Sequence, residues 1–134
     1  MGSFTDFLED ELLDHVFGNA AYSAPGTQYV GLSTTTIADD GTNDTEPAGG
    51  SYARVSVTNN DTNWPAASGG AKANGTAFAF PQASGSWGVI IDFAIYDAAT
   101  AGNMLAFGTL TTSKTVLTGD TPQFAIGDLD ITLD

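Results

Sequence analysis

The residues able to carry chemistry are few and poorly matched to one another. His15 is the only histidine among 134 residues, and there is no cysteine. A Ser-His-Asp arrangement would have to be built on His15. That residue recurs with Phe4, Phe7, Leu8, Leu12 and Val16 at spacings of three and four. The spacing assigns it to packing or contact on a helix rather than to proton transfer. Absence of cysteine excludes disulfides, thiolate catalysis and Cys-ligated zinc. The run Asp39-Asp40-Gly41-Thr42-Asn43-Asp44 offers oxygens of the kind that hold calcium. It lacks EF-hand spacing and a bidentate Glu at the matching distance, so a solvated acidic turn is expected. No spacing singles out a carboxylate pair for glycoside hydrolysis. Asp92 interrupts an apolar run, where a lone carboxylate is costly, and Arg54 is one candidate partner. Trp64, Trp87, Tyr29, Tyr52 and Tyr96 are candidates for a carbohydrate or protein contact platform, with core packing as the default. Three Asn-X-Ser/Thr matches begin at Asn43, Asn60 and Asn74. An Asn- and Thr-rich chain yields such matches by chance, and no secretory signal accompanies them. No catalytic residue, metal site or cofactor is expected.

Charge narrows the partners. Sixteen acids face Arg54, Lys72 and Lys114, for a formal net charge of -13. Nucleic acid is bound by neutralising phosphates, so a DNA or RNA partner is excluded in practice. Anionic membrane surfaces are disfavoured for the same reason, and no apolar run reaches the roughly 20 residues of a membrane span. Hydrophobic residues make up 42% of the chain, enough to bury a core.

The elements that must position these residues follow from periodicity. A helix is predicted from about Phe4 to Phe17, with Ser3 as N-cap, Asp6 completing an approximate capping box, and Gly18-Asn19 as the stop. Asp6, Glu9, Asp10 and Glu11 crowd its early turns, where the helix dipole favours negative charge. The period then changes from 3.6 to 2. Strands are predicted at Gln28–Thr34, Tyr52–Thr58, Thr76–Phe80, Trp87–Tyr96, Met104–Thr111 and Leu129–Leu133, with weaker ones near Lys114–Leu117 and Gln123–Ala125. Val89, Ile91, Phe93 and Ile95 fall on one face of the fourth strand and Ile90, Asp92, Ala94 and Tyr96 on the other, which marks a central strand. Leu129, Ile131 and Leu133 alternate with Asp128, Asp130, Thr132 and Asp134, as in a half-exposed strand whose carboxylates discourage edge pairing. Thr35–Ser51 and Asn59–Gly75 read as long loops, functional or mobile. The fold class is therefore mainly β: one domain over 1–134, with a helix within 1–18 and an antiparallel β-sandwich or jelly-roll over 27–134.

Several segments together resemble a family of short structural proteins of tailed bacteriophages, often labelled phage tail fibre proteins. They include Leu12-Leu13-Asp14-His15-Val16-Phe17-Gly18, Tyr29-Val30-Gly31-Leu32-Ser33-Thr34-Thr35 and Gly49-Gly50-Ser51-Tyr52-Ala53-Arg54-Val55. Trp64-Pro65-Ala66-Ala67-Ser68-Gly69-Gly70, Gly85-Ser86-Trp87-Gly88, Asp97-Ala98-Ala99-Thr100, Leu110 to Val116, Gly119-Asp120-Thr121-Pro122 and Leu129 to Leu133 extend it over nearly the whole chain. The resemblance implies a virion protein without catalytic residues. From size, with no room for a shaft and a receptor-binding head, the expected role is a head decoration or cement protein. It would bind the major capsid protein on the outer surface of the head, after a stage in the host cytoplasm. A tail, tail-fibre or tail-tip component bound to a tail protein is the alternative, and a carbohydrate-binding module is the third. A homo-oligomer is expected from virion symmetry, with a trimer as the form named in this first reading. The candidate interface residues are Phe4, Phe7, Leu8 and Leu12 of the helix stripe, Asp39, Asp40 and Asp44 of the acidic loop, and Trp64.

Overall fold

The computed structural model describes residues 2–18 and 20–133. Among the described residues, nine strands and one helix follow the order β1 (Gly2–Phe4), α1 (Asp6–Val16), β2 (Thr27–Ser33), β3 (Val55–Thr58), β4 (Ala71–Ala73), β5 (Phe78–Ala79), β6 (Gly88–Tyr96), β7 (Met104–Val116), β8 (Gln123–Phe124) and β9 (Asp130–Thr132). Seven strands form one sheet, ordered β3-β2-β6-β7-β1-β9-β4, and β5 pairs with β8 beside it. The ladders are antiparallel except for β1 with β9. The architecture is mainly β, sandwich-like, with a helix near the N-terminus, as the periodicity predicts.

The centre of the sheet is β6, clasped between β2 and the long β7. Its register against β7 jumps: Ile90 faces Lys114, but Asp92 faces Thr109. The extra β7 residues loop out as an irregularity of the bulge type, which bends a sheet and raises its twist. The jump also breaks the simple alternation expected for β6. Ile90 joins Phe93 and Ile95 in the main core, whereas Val89 is 48% exposed.

Aromatic side chains join the two sheets. Phe93 meets Phe124 of β8 edge-on at 5.7 Å, and Phe80 contacts both Phe124 and Trp87 at 6.3 Å. Tyr52 packs at 5.2 Å against Trp87, and Trp64 at 5.3 Å against Phe78. Such edge-to-face pairs add to the area term that dominates burial of large rings.

The N-terminus differs from the periodic expectation. Gly2–Phe4 forms β1, inserted between β7 and β9, so Ser3 is a strand residue and not a cap. The N-cap is Thr5. Its hydroxyl is turned into the fold and donates to the Met104 carbonyl at 2.5 Å. The sheet thus takes the residues that the helical stripe claimed, because pairing with β7 satisfies their backbone groups. The helix ends at Val16, and Gly18 follows with φ at +89°. Asn19, the other half of the expected stop signal, and Asp134, the last residue of the expected alternation, lie outside the described residues.

Two further expectations are corrected. The segment Asn59–Gly75 is not loop throughout, since Ala71–Ala73 pairs with β9. The strand around Ile131 is therefore covered on both sides, by β1 and β4, and is not an edge. The runs predicted at Met104–Thr111 and Lys114–Leu117 are one strand, continuous through the bulge.

Candidate docking site

Helix α1 lies over one end of the sheet, against β7 and β1. Its first backbone N–H groups find acceptors outside the helix: Asp6 donates to the Asp39 carbonyl at 3.0 Å. Leu8 is buried, and Phe4, Phe7 and Leu12 are half-buried against the core. The helix is too short to cover the sheet face beneath it. An apolar groove of about 520 Å³ is left between α1, the Trp64 segment and the β4–β9 end of the sheet. Phe4, Leu8, Leu12 and Trp64, all named from the sequence, line it, together with Tyr22, Ile131 and Leu133. Phe7 is not among the lining residues.

Trp64 is 5% exposed and belongs to the core through its ring. Its indole N–H makes no hydrogen bond within the described residues, nor does the side-chain oxygen of Gln28, which also lines the groove. Burying such groups without partners is costly. Beyond the groove, the last turn of the helix leaves Leu13, Val16 and Phe17 exposed, Phe17 by 79%. His15 accepts a hydrogen bond at Nδ1 from the Tyr22 backbone N–H and contributes to the groove wall.

The acidic loop is built differently from the helix stripe. Asp39 and Asp40 are exposed, and Asp40 accepts two hydrogen bonds from Thr42, one from its hydroxyl and one from its backbone N–H. These bonds lower the Asp40 carboxyl below its ordinary range, the hydroxyl contributing most. Asp44 instead accepts from the Tyr96 hydroxyl at 2.8 Å. Glu46 is the partner of Arg54: Nε and Nη2 donate to its two oxygens at 2.9 and 2.8 Å. Arg54 Nη1 reaches the carbonyls of Ala98 and Ala101, and the guanidinium lies 3.4 Å from the Tyr96 ring centroid. Burial pulls on the arginine, but the Glu46 hydrogen bond and charge hold its pKa above the ordinary value. Tyr52 completes the set, donating to Glu46 at 2.7 Å and accepting from the Leu32 N–H. Gly31 makes room for all of this, since a Cβ there would stand 2.9 Å from both Glu46 Oε1 and Tyr96.

The suggested Asp92–Arg54 pair is thus not formed. Asp92 is 1% exposed and accepts from the Ile37 backbone N–H at 2.8 Å, while its other oxygen has no partner among the described residues. Sequence reasoning missed the Arg54 network, although one signal was present: Arg54 is the only arginine, two residues after Tyr52 and eight after Glu46. The aromatic platform is not presented to solvent, because Trp64, Trp87 and Tyr96 are buried and Tyr52 is half-buried. Among the described residues no cluster of three or more acids and histidine converges in the manner of a metal site. Among the described residues no helix is long and apolar enough to cross a membrane.

A family model described as Podophage GP4 fiber I protein gp80 matches residues 3–132. No curated protein matches the chain.

Proposed function

Because the chain belongs to the Podophage GP4 fiber I protein gp80 family, and is on that ground a bacteriophage virion structural protein, we propose that it serves as a non-enzymatic component of the tail fibres. The family match over nearly the whole chain carries this reading. It fits the tail alternative better than the head-decoration role expected from size. Size is a weak guide to location, since a compact β domain can serve as cement on a shell or as one unit of a fibre assembled from several chains. The carbohydrate-module reading loses its main support with the burial of Trp64 and Trp87.

In this role the protein works by rigidity and attachment. The network of Arg54, Tyr52 and Glu46 ties the acidic loop to Leu32 of β2 and Tyr96 of β6. Attachment falls to the α1 side, where apolar surface is left uncovered. The partner is another tail protein of the same particle, and copies associate with closed symmetry, a trimer being the first form to test.

Copy number and location in purified particles test the proposal. Antibody labelling at the tail, with few copies per particle, is the expected result. Hundreds of copies spread over the head would restore the decoration role. Normal, infectious particles assembled without the protein would remove it from the virion machinery.

A further inference from the structure

We propose that the groove between α1 and the Trp64 segment receives the exposed end of α1 from a second copy of this chain, so that each copy offers both a knob and a hole. This deepens the expectation that copies associate, and it stands on the groove and the helix end rather than on a tail location.

The knob is a patch that the fold leaves bare. Leu13, Val16 and Phe17 are all more than half exposed. Val16 and Phe17 lie three and four positions after Leu13, so the three share one side of the last helical turn. Single exposed apolar residues need no explanation, but a group of them beside an apolar groove marks a contact surface. Leu12 and His15, their direct neighbours in the chain, line that groove. Knob and hole therefore belong to one surface of the molecule. The hole holds about 520 Å³ and is walled by Leu8, Leu12, Tyr22, Ile131 and the exposed Leu133. A cavity of that size takes a drug-sized apolar group, hence an aromatic ring with an aliphatic neighbour.

Charge selects the occupant. Among the described residues, Lys72 lines the groove and no carboxylate does. Lys72 stands opposite Ile131 across the β4–β9 ladder, and its ammonium makes no hydrogen bond or ion pair among the described residues. A cation beside apolar walls favours a piece that brings apolar groups and a carboxylate together. The end of α1 is such a piece. Asp10 and Asp14 are exposed, and each lies three positions before an apolar residue of the knob, Leu13 and Phe17. The net charge of -13 on each copy opposes their approach. That repulsion is spread over the whole surface and is screened beyond about 8 Å at about 0.15 M salt, whereas the Lys72 contact is local. With a symmetry axis through the contact, each copy gives a knob and receives one, and the assembly closes.

Sedimentation velocity on the full chain, over a range of concentrations at about 0.15 M salt, tests this. A discrete oligomer is expected, and its association should weaken as salt is lowered to about 0.01 M, where the repulsion between copies is no longer screened. Phe17→Asp spoils the knob and Leu133→Asp places a carboxylate in the hole. Each should raise the dissociation constant by about tenfold or more. Both side chains are exposed, so circular dichroism should report an unchanged fold. Lys72→Glu should weaken association too, independently of both. Mixing the Phe17→Asp and Leu133→Asp variants should restore part of the association, because one intact knob then meets one intact hole. A wild-type chain that stays monomeric to about 1 mM would overturn the proposal. So would association that ignores Phe17→Asp or Leu133→Asp, or a mixture that recovers nothing. A monomer whose groove instead captures another protein of the particle would give the groove to a different occupant and overturn it as well. Tail labelling is untouched by these outcomes, so the location of the protein and the contact between copies fail separately.

Discussion

Arg54 shows how much one side chain organises in a chain with so few cations. It meets a carboxylate bidentately, two carbonyls and an aromatic face, with its own side chain 6% exposed. Removing one partner of a buried pair leaves the other uncompensated, so Arg54→Ala should cost about 3 kcal/mol in denaturant unfolding. Arg54→Lys should recover only part of this, because an ammonium cannot reproduce the planar fork. A loss within error for either variant would mean that Glu46 is solvated without its partner. The two phenols of this network set a pH limit. Burial first, and then the hydrogen bonds to Glu46 and Asp44, raise Tyr52 and Tyr96 far above the ordinary tyrosine value. In the unfolded chain both would lose protons near about pH 10. The folded state then binds more protons than the unfolded one, so stability is full below about pH 10 and falls as pH rises beyond it. Melting temperature against pH measures this, and Tyr52→Phe with Tyr96→Phe should flatten the alkaline decline. A decline of unchanged slope would place its cause elsewhere.

Helix α1 has two apolar populations along one short element. Leu8 faces the sheet and is 8% exposed, whereas Val16 and Phe17 stand 65% and 79% exposed at its end. Leu8→Ala should therefore cost about 2–5 kcal/mol, through lost transfer energy and the cavity left behind. Phe17→Asp should leave the melting temperature of the dilute monomer nearly unchanged, as surface substitutions do. Equal losses at the two positions would show that the end of the helix is packed in solution. The helix was legible from its spacing, as was the Leu8–Leu12 stripe. Its first turn was not. Phe4 sits at a helical spacing from Leu8, but the backbone of Gly2–Phe4 pairs with Ala106–Gly108, residues about a hundred positions away. Local periodicity carries no information about that competitor.

At the scale of the whole molecule, net charge opposes compaction. Sixteen acids against three bases repel one another in the folded state more than in the expanded one. Raising ionic strength from about 0.01 M to about 0.15 M shortens the screening length from about 30 Å to about 8 Å, so the melting temperature should rise over that range. A fall would mean that attractive pairs such as Glu46–Arg54 outweigh the repulsion.

Composition and period sufficed for the mainly β class and most strand positions. The centrality of β6 was also legible, because a strand covered on both faces must be apolar on both. These are properties of short windows or of sums over the chain. The tertiary structure alone decided that Arg54 pairs with Glu46 and not Asp92, that β9 lies inside the sheet, and that Trp64 faces the core. It also decided that the helix stripe, the Trp64 segment and β9 border one groove. Each of these depends on which distant segments share a ladder or a face. Pairing is chosen by the free energy of the whole sheet, where a one-residue shift of register exchanges buried and exposed side chains.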